Sequence, residues 1–504
     1  MTLQSKNITL FILYNILVGI LLYIHILWGD EWQVIEIVNG IKNLSEIIYR
    51  IQQEGHPPLW FGLVKLAWLI YPSVNSVKVL HWCITCFASW YLLFRMKLDF
   101  RYKALFLFSY FMGFEYAAIC RNYGIVIPFA LIAVNNIELK NPKALWAFCI
   151  GIAGMCFSHV YGIMMAGGLI FYLFYEKLFN LRRLFSLRYY NIALVSFLLC
   201  SGIAAYTIYP HGHNTLLPDN NFQISKLLLY LPRGFAVLWN GLVNIPAFNY
   251  HFRSQNIIDY LDEAFFTRFF PHVDLQGKTY IIINYCIKSV LVLPVLFLLF
   301  KELGQRRRLF LTLLVTYLVF YFFQTEFYKA SLRHAGFAYI FLFLIVCLSG
   351  NLRFRFIPIL LALQLIPLSV AFCCSFTHPF SNGKFFVNYI DSLNYQNPII
   401  ETNSPVAASS LAGYYAKPFY LHGEREVKWY YKWDENSTFD TLHILVNEFN
   451  YIRQIENETG SRPVFIVLDY DPEKTDTYIF NGYRKKYQFT YRKFEGSITG
   501  ACRP

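Results

Sequence analysis

The sequence ITLFILYNILVGILLYIHILWGDEW, residues 8–32, places two carboxylates directly after a long apolar run. As a helix, residues 8–28 are long enough to cross about 30 Å of hydrocarbon. Acidic residues follow where a cleaved secretory signal would have small residues. We therefore predict a retained first transmembrane helix with Asp30 and Glu31 at its end.

The composition extends this prediction to most of the chain. Of the 504 residues, 56% are hydrophobic and 15% are charged, which is too apolar for a soluble protein. We predict an α-helical polytopic membrane protein with about eleven transmembrane helices and a C-terminal extracytoplasmic α/β domain. The transmembrane domain covers 1–375, with a first outer loop at 29–75, and the soluble domain covers 376–504. The predicted spans are 8–28, 76–94, 104–119, 123–138, 144–160, 162–180, 190–209, 280–300, 309–323, 336–350 and 356–375.

The positive charges predict the orientation. The net charge of +13 is spread over short clusters between apolar runs, which fits membrane topology and excludes nucleic acid as a partner. We place these clusters and the N-terminus in the cytoplasm and expect a multi-pass protein of the cell (inner) membrane, with a eukaryotic secretory membrane as the open alternative. Segments 57–71 and 225–248 are interpreted as re-entrant or interfacial helices. If exactly one of them crosses the membrane, every later loop lies on the opposite side of the membrane from the one predicted. The clusters lie at 95–103, 140–143, 177–188, 301–308 and 353–355.

The first outer loop predicts a surface helix followed by a rigid turn. In residues 32–51, apolar side chains recur every three or four positions with polar residues between them, as in an amphipathic helix lying along a membrane. Glycine and two prolines in QQEGHPPLW, residues 52–60, end this helix. We therefore expect Glu54 and His56 on a turn near the first two acids.

Four short motifs, in this order, resemble one family. GDEW (29–32), EGHPPLWF (54–61), RNYGI (121–125) and SHVYG (158–162) resemble the polytopic GT-C glycosyltransferases, especially bacterial relatives of protein O-mannosyltransferases and the lipid A aminoarabinose transferase. The resemblance covers roughly residues 8–350. It implies transfer of a sugar from a polyprenyl phosphate carrier to an acceptor outside the cytoplasm, through an acidic residue of the first outer loop.

This resemblance implies roles for the acids. Asp30 matches the catalytic acidic position and would deprotonate the acceptor hydroxyl from the face opposite the phosphate, which predicts inversion. Glu31 would raise the proton affinity of Asp30 by like-charge repulsion. Glu54 is a further catalytic candidate. An ordinary solvated helix end is the alternative interpretation of the acidic pair.

Basic residues near outer helix ends are candidates for binding the donor phosphate. Arg121 matches the arginine of the family's RxY pattern. The segment TEFYKASLRHAG, residues 325–336, adds three candidates. Lys329 and Arg333 share a face with Glu326 if this segment is helical, and His334 is adjacent. Ammonium and guanidinium groups suit a phosphate, whereas a snorkelling or ion-paired helix end is the alternative.

Further polar residues of the outer loops are pocket candidates, namely His56, Tyr123, His159 and Tyr161. Glu54, His56 and His159 would suit a divalent metal such as zinc or manganese. No HExxH spacing supports this metal, and hydrogen-bonded histidines are the alternative. No other cofactor is expected. We interpret the two tyrosines as membrane-interface aromatics rather than catalytic groups.

Alternating helix-like and strand-like segments predict the outer α/β domain. The aromatic segment EREVKWYYKWDE, residues 424–435, would stack on acceptor sugars or pack against the membrane domain. The helix-like segments are 385–393, 405–416 and 439–458, and the strand-like segments include 398–401 and 463–469.

Several functions remain open at this level. The expected partners are a polyprenyl-phosphate sugar, membrane lipid, and an acceptor that is a glycolipid, polysaccharide or protein. A transporter or flippase for a lipid-linked glycan is the main alternative, because it also tolerates intramembrane charges. A non-catalytic scaffold and another transferase chemistry are further alternatives.

Overall fold

The computed structural model describes two isolated residues, Leu261 and Arg268, and thirteen segments. The segments are 2–41, 44–51, 54–175, 188–209, 231–246, 278–326, 331–350, 353–381, 383–392, 399–402, 405–421, 427–429 and 464–467.

Most of the described residues are helical. The helices are α1 Leu3–Ile24, α2 Gly29–Asn39, α3 Leu44–Ile51, α4 Leu59–Ile70, α5 Val74–Arg95, α6 Phe100–Leu107, α7 Tyr123–Asn135, α8 Pro142–Ser158, α9 Val160–Phe174, α10 Arg188–Ile208, α11 Leu231–Leu242, α12 Lys278–Leu303, α13 Arg307–Glu326, α14 Leu332–Leu348, α15 Ile357–Leu363, α16 Leu365–Thr377, α17 Gly383–Ser392 and α18 Pro405–Tyr415, with a π-helical turn at Phe111–Glu115.

Six of the described segments are long and apolar enough to cross a membrane, and five shorter apolar helices accompany them. The chain is therefore a multi-pass membrane protein, while the count of eleven spans stays a prediction. The six segments are Leu3–Ile24, Val74–Arg95, Arg188–Ile208, Ile282–Leu303, Arg307–Thr325 and Ile357–Thr377.

The predicted span at 104–119 is wrong as a continuous helix. Helix α6 ends at Leu107, and the Ser109 hydroxyl donates to the Phe106 carbonyl at 2.7 Å, closing the end of the helix. The Tyr110 N–H donates to the Gln364 carbonyl at 3.1 Å, so a neighbouring segment takes the place of the helical partner. Irregular backbone is tolerated in membrane proteins where the surrounding protein satisfies it in this way.

The predicted surface helix at 32–51 is also wrong in length and in place. Two helices form, α2 and α3, because side chains satisfy the carbonyls where α2 ends. Lys65 Nζ donates to the Val38 and Ile41 carbonyls at 2.9 and 2.7 Å, and Arg50 Nη2 donates to the Gly40 carbonyl at 2.8 Å. Helix α2 is buried along almost its whole length and packs on α4 and α18.

Helix α14 occupies the centre of the membrane part. Nearly all of its side chains are buried, as expected for a helix that is apolar on every face. Phe343 stacks on Phe106 with ring centroids 3.6 Å apart. Arg333 and His334 lie in the first turn of this helix, so the packing of α14 in the core determines their position.

A four-stranded sheet follows the last membrane helices, with strand order β3-β2-β1-β4. Strand β1 pairs in parallel with β2 and β4, and β2 pairs antiparallel with β3. Strands β1 and β4 and helices α17 and α18 coincide with segments predicted from sequence, whereas β2 and β3 lie where no strand was predicted. The domain boundary at 376 stays a prediction, and residues 439–458 and most of 424–435 lie outside the described residues. The strands are β1 Ile399–Thr402, β2 Phe419–Leu421, β3 Val427–Lys428 and β4 Val464–Val467.

Docking of α18 on α2 requires a glycine. A Cβ at Gly413 would overlap the Trp32 ring, and the neighbouring Tyr414 ring lies edge-on to Trp32 with centroids 5.0 Å apart. We expect Gly413→Val to destabilise the protein by about 1–3 kcal/mol through overpacking, measured by thermal unfolding in detergent. Gly62→Val is the matched control, since no atom lies within 4 Å of a Cβ there. Equal melting temperatures for both variants would contradict the docking.

Candidate functional site

The carboxylate of Asp30 lies between two arginines. Its Oδ2 is 3.1 Å from Arg333 Nη1 and 3.8 Å from Arg121 Nη2. Arg121 Nη1 also donates to the Asp30 backbone carbonyl at 2.5 Å. The Asp30 side chain retains 20% exposure, whereas those of Arg121 and Arg333 retain 6% and 11%. We call these three residues the Asp30 cluster.

Glu31 points away from Asp30 and binds three other segments. Its carboxylate accepts from His25 Nε2 at 2.8 Å, from the Trp28 N–H at 3.0 Å and from the Cys120 N–H at 2.6 Å. Burial opposes ionisation, but the His25 pair and the two N–H groups outweigh it and lower the pKa of Glu31. The two neighbouring carboxylates therefore have separate partners, and the predicted like-charge effect of Glu31 on Asp30 stays a prediction.

A second group of side chains lies beside the arginines. His56 Nε2 is 3.1 Å from Arg121 Nη2, and the rings of His56 and His159 have centroids 5.2 Å apart. The Tyr123 hydroxyl is 3.5 Å from His334 Nε2, and its ring is 4.8 Å from that of His159. Burial, followed by the charge of Arg121, lowers the pKa of His56 well below its usual range. His56 therefore faces Arg121 as a neutral acceptor.

Tyr161 completes this group, which we call the histidine–tyrosine cluster: His56, Tyr123, His159, Tyr161 and His334. The Tyr161 ring stacks near that of His334 with centroids 5.6 Å apart. Tyr161 and Tyr123 are 0% and 2% exposed, so both rings pack inside the protein, and their predicted place at the membrane interface stays a prediction. The Arg333 guanidinium lies 5.2 Å from the Trp28 ring centroid and 5.8 Å from that of Tyr123, which joins the two clusters.

Some buried nitrogen atoms of His56, His159 and Arg121 have no hydrogen-bond partner within the part of the chain that the structure describes. They are His56 Nδ1, His159 Nε2 and Arg121 Nε. Buried polar atoms are rarely left without a partner, and exceptions concentrate where a ligand or water completes them. The arrangement is therefore suited to a polar ligand.

Four helices begin at the clusters. Asp30 lies in the first turn of α2, Tyr123 opens α7, His159 is the N-cap of α9, and His334 lies in the first turn of α14. The N-terminal end of a helix carries partial positive charge and unpaired N–H groups. Together with the two arginines, these helix ends make the site electropositive and suited to an anion.

Glu54 borders the Asp30 cluster. Its Oε1 accepts from Gln33 Nε2 at 3.0 Å, and the charges of Arg121 and Asp30 both act on it. Burial is the largest influence and raises the pKa of Glu54 to about 7. Its carboxyl group thus changes charge near neutral pH, as a proton-transferring group requires.

The metal predicted at Glu54, His56 and His159 does not fit this geometry. Among the described residues, no three His, Cys, Asp or Glu side chains are grouped as a metal site. Glu54 faces the Gln33 amide, and His56 Nε2 faces the Arg121 guanidinium, so a cation there would meet another cation.

Arg333 lies in the first turn of α14, which begins at Leu332 after the extended N-cap Ser331, and the shared face of Lys329 and Arg333 stays a prediction. Lys329 lies outside the described residues. The other sequence candidates, Asp30, Glu54, His56, Arg121, Tyr123, His159, Tyr161, Arg333 and His334, all lie in or beside the two clusters.

Sequence reasoning missed His25 and Gln33. His25 lies at the end of the first apolar run, and an ionisable residue in a membrane segment is a general signal of function. Gln33 follows Asp30 by three residues, so it lies near Asp30 on one side of a helix. Both signals are visible in the sequence, because His25 lies within residues 8–32 and Gln33 follows directly.

Glu31→Ala would leave His25 and two buried N–H groups without their acceptor. We expect a loss of about 2–5 kcal/mol in unfolding free energy, seen as a lower melting temperature in detergent. Glu46→Ala is the control, because its partly exposed carboxylate lies 4.0 Å from Arg50 and we expect it to cost below about 1 kcal/mol. Equal effects of the two substitutions would contradict the conclusion that Glu31 holds three segments of the chain together.

Glu54 makes stability depend on pH. Because its folded pKa of about 7 exceeds its ordinary value of 4.5, the stability it contributes is complete below 4.5 and is lost as pH rises through 7. We expect Glu54→Gln to flatten the dependence of melting temperature on pH across this window. Glu46→Gln should leave that dependence unchanged, and an unchanged slope in Glu54→Gln would contradict the raised pKa.

No family model and no curated protein matches the chain. Two solved structures are similar to it, both of ArnT from Cupriavidus metallidurans. The structure bound to undecaprenyl phosphate is 11% identical, with a TM-score of 0.39, over 98% of this chain and 97% of that chain. The apo structure is 12% identical, with a TM-score of 0.40, over 99% and 98%. At these scores the similarity assigns no roles to residues.

Proposed function

We propose that this chain is a membrane glycosyltransferase that moves a sugar from a polyprenyl-phosphate donor to a hydroxyl group of an extracytoplasmic acceptor, with inversion. The observation that carries the proposal is the Asp30 cluster, in which one carboxylate is shared by two largely buried arginines at converging helix N-termini. The motif order described above supports the same reaction class. ArnT, the similar solved protein, has been crystallised with undecaprenyl phosphate.

The arginines are the proposed phosphate ligands. Guanidinium groups bind phosphate oxygens in a bidentate manner, and they are strongest where water is excluded. In the absence of phosphate, Asp30 neutralises Arg333 and Arg121. Donor phosphate would compete with Asp30 for both, so its binding would free the carboxylate beside the reacting sugar.

Asp30 is the proposed base. The acceptor hydroxyl would transfer its proton to the Asp30 carboxylate while its oxygen forms a bond to the anomeric carbon. The bond between that carbon and the phosphate oxygen breaks, and the electron pair leaves with the polyprenyl phosphate. The arginines would stabilise this developing charge. Attack opposite the phosphate inverts the configuration, which requires the sugar to lie between Asp30 and the arginines.

The histidine–tyrosine cluster is the proposed sugar-binding wall. Aromatic faces suit the apolar faces of a sugar ring, and the unpartnered His56 Nδ1 and His159 Nε2 would bind its hydroxyl groups. Glu54 would serve as a second proton-transferring group. The proposed acceptor is a hydroxyl group of a glycolipid, polysaccharide or protein.

The proposed location is the cell (inner) membrane, with the N-terminus in the cytoplasm. The site and the four-stranded sheet would then face outward, opposite the basic clusters that the positive-inside rule places in the cytoplasm. Docking of α18 against α2 supports this arrangement, since it places the sheet-bearing part on the side of Asp30.

The test is the extracytoplasmic glycan and glycolipid profile, by mass spectrometry, of cells carrying wild type, a deletion, or Asp30→Asn at matched membrane abundance. We expect Asp30→Asn to lower transfer by at least about a hundredfold, because it removes the base. Asp99→Asn is the control, since Asp99 caps α6 far along the chain and asparagine also caps helices. Full activity in Asp30→Asn would contradict the assignment of Asp30 as the base and would favour a flippase.

A further inference from the structure

A chain of hydrogen bonds joins the sheet-bearing part of the protein to the candidate site. The Ser409 hydroxyl on α18 donates to Gln33 Oε1 on α2 at 3.0 Å. Gln33 Nε2 in turn donates to Glu54 Oε1 at 3.0 Å. Ser409 and Gln33 are 1% and 8% exposed, so bulk water does not substitute for either partner.

The two hydrogen bonds of Gln33 orient its side-chain amide between Ser409 and Glu54. A side-chain amide has one accepting oxygen and one donating nitrogen. While Ser409 donates to the oxygen, the nitrogen is directed to the Glu54 carboxyl group. The reverse orientation would oppose the amide oxygen to the ionised Glu54 carboxylate, while the serine hydroxyl would accept from the amide nitrogen instead of donating.

Glu54 in turn lies within the electrostatic reach of the reacting groups. The charged groups that act on it are Arg121, from the connection before α7, and Asp30, from α2. His56, on the same turn as Glu54, contacts Arg121 at 3.1 Å. Because Gln33 and Asp30 are one helical turn apart on α2, any shift of this helix moves both.

Helix α18 packs closely against α2, so the position of one helix constrains that of the other. One turn beyond Ser409, Gly413 fits against the Trp32 ring without room for a side chain, and Tyr414 contacts the same ring edge-on. The Ser409 contact is therefore part of a close-packed interface and holds the position of its hydroxyl group.

We propose that Gln33 is a positioning residue through which α18 fixes the orientation of Glu54 beside the Asp30–Arg121 pair. The sheet-bearing part of the chain then acts on the reaction instead of only covering the site. This inference rests on the proposed transferase function for its role in turnover, while the coupling itself is independent of turnover.

The experiment compares wild type with Gln33→Leu, Ser409→Ala and the double variant. The readouts are kcat, donor KM and the pH profile of transfer from a polyprenyl-phosphate sugar, together with melting temperature against pH. The Gln33 bond favours the charged form of Glu54, so its loss should move the Glu54-dependent limb of both pH profiles upward by about half a unit or more. We expect kcat to fall about tenfold or more in Gln33→Leu, with donor KM changed less than about twofold.

The serine variants test whether α18 acts through Gln33. Ser409→Ala should shift both profiles in the same direction, Ser409→Thr should restore them, and Ser409→Ala should add nothing in the Gln33→Leu background. Ser410→Ala is the matched control, because Ser410 is a buried serine that borders Gly383 of α17. We expect it to behave as wild type.

The outcomes separate the two proposals. Transfer by wild type with variants that match Ser410→Ala in kcat and both pH profiles would overturn the positioning role alone. Additive effects of Gln33→Leu and Ser409→Ala would overturn the relay between them. Absence of transfer by wild type would overturn the proposed function and the role of Gln33 in turnover, while the melting profiles would still decide the coupling to Glu54.

Discussion

The site depends on one buried carboxylate that does not belong to its reacting groups. Glu31 joins the end of α1 through His25, the start of its own helix through Trp28, and the connection before α7 through Cys120. Asp30 and Arg121 are the immediate chain neighbours of Glu31 and Cys120. The hydrogen bond between Glu31 and Cys120 therefore brings Asp30 and Arg121 into contact, since each lies one residue away from it. For this reason the start of α2 and the connection before α7 meet with defined geometry.

This arrangement gives the two neighbouring acids different tasks. Glu31 is enclosed and fully paired, which favours one structure. Asp30 stays partly exposed and shares its charge with two arginines, which leaves it able to exchange partners. On the proposed function, a carboxylate held by cations that a phosphate also prefers would couple arrival of the anion to release of the base. The same electrostatics that hold Asp30 between its arginines would suit a charged substrate.

Sequence reasoning selected residues that the structure brings together, but it did not predict their contacts. Short motifs and apolar runs place Asp30, Arg121 and His159 near helix ends, because hydrophobic length determines where a membrane helix ends. The direction of the Glu31 side chain depends on Cys120, 89 residues further along the chain, which no local pattern reveals. The helix break after Asn39 depends on Lys65 and Arg50, and such tertiary contacts override periodicity.

The most direct measurement is the affinity of purified protein for a polyprenyl phosphate, by native mass spectrometry, in wild type and Asp30→Asn. If Asp30 and phosphate compete for Arg121 and Arg333, removal of the aspartate charge should tighten binding by about tenfold while transfer is lost. Arg333→Met should weaken binding relative to both. Weaker or unchanged binding in Asp30→Asn would contradict the shared use of the two arginines, and with it the proposed catalytic centre.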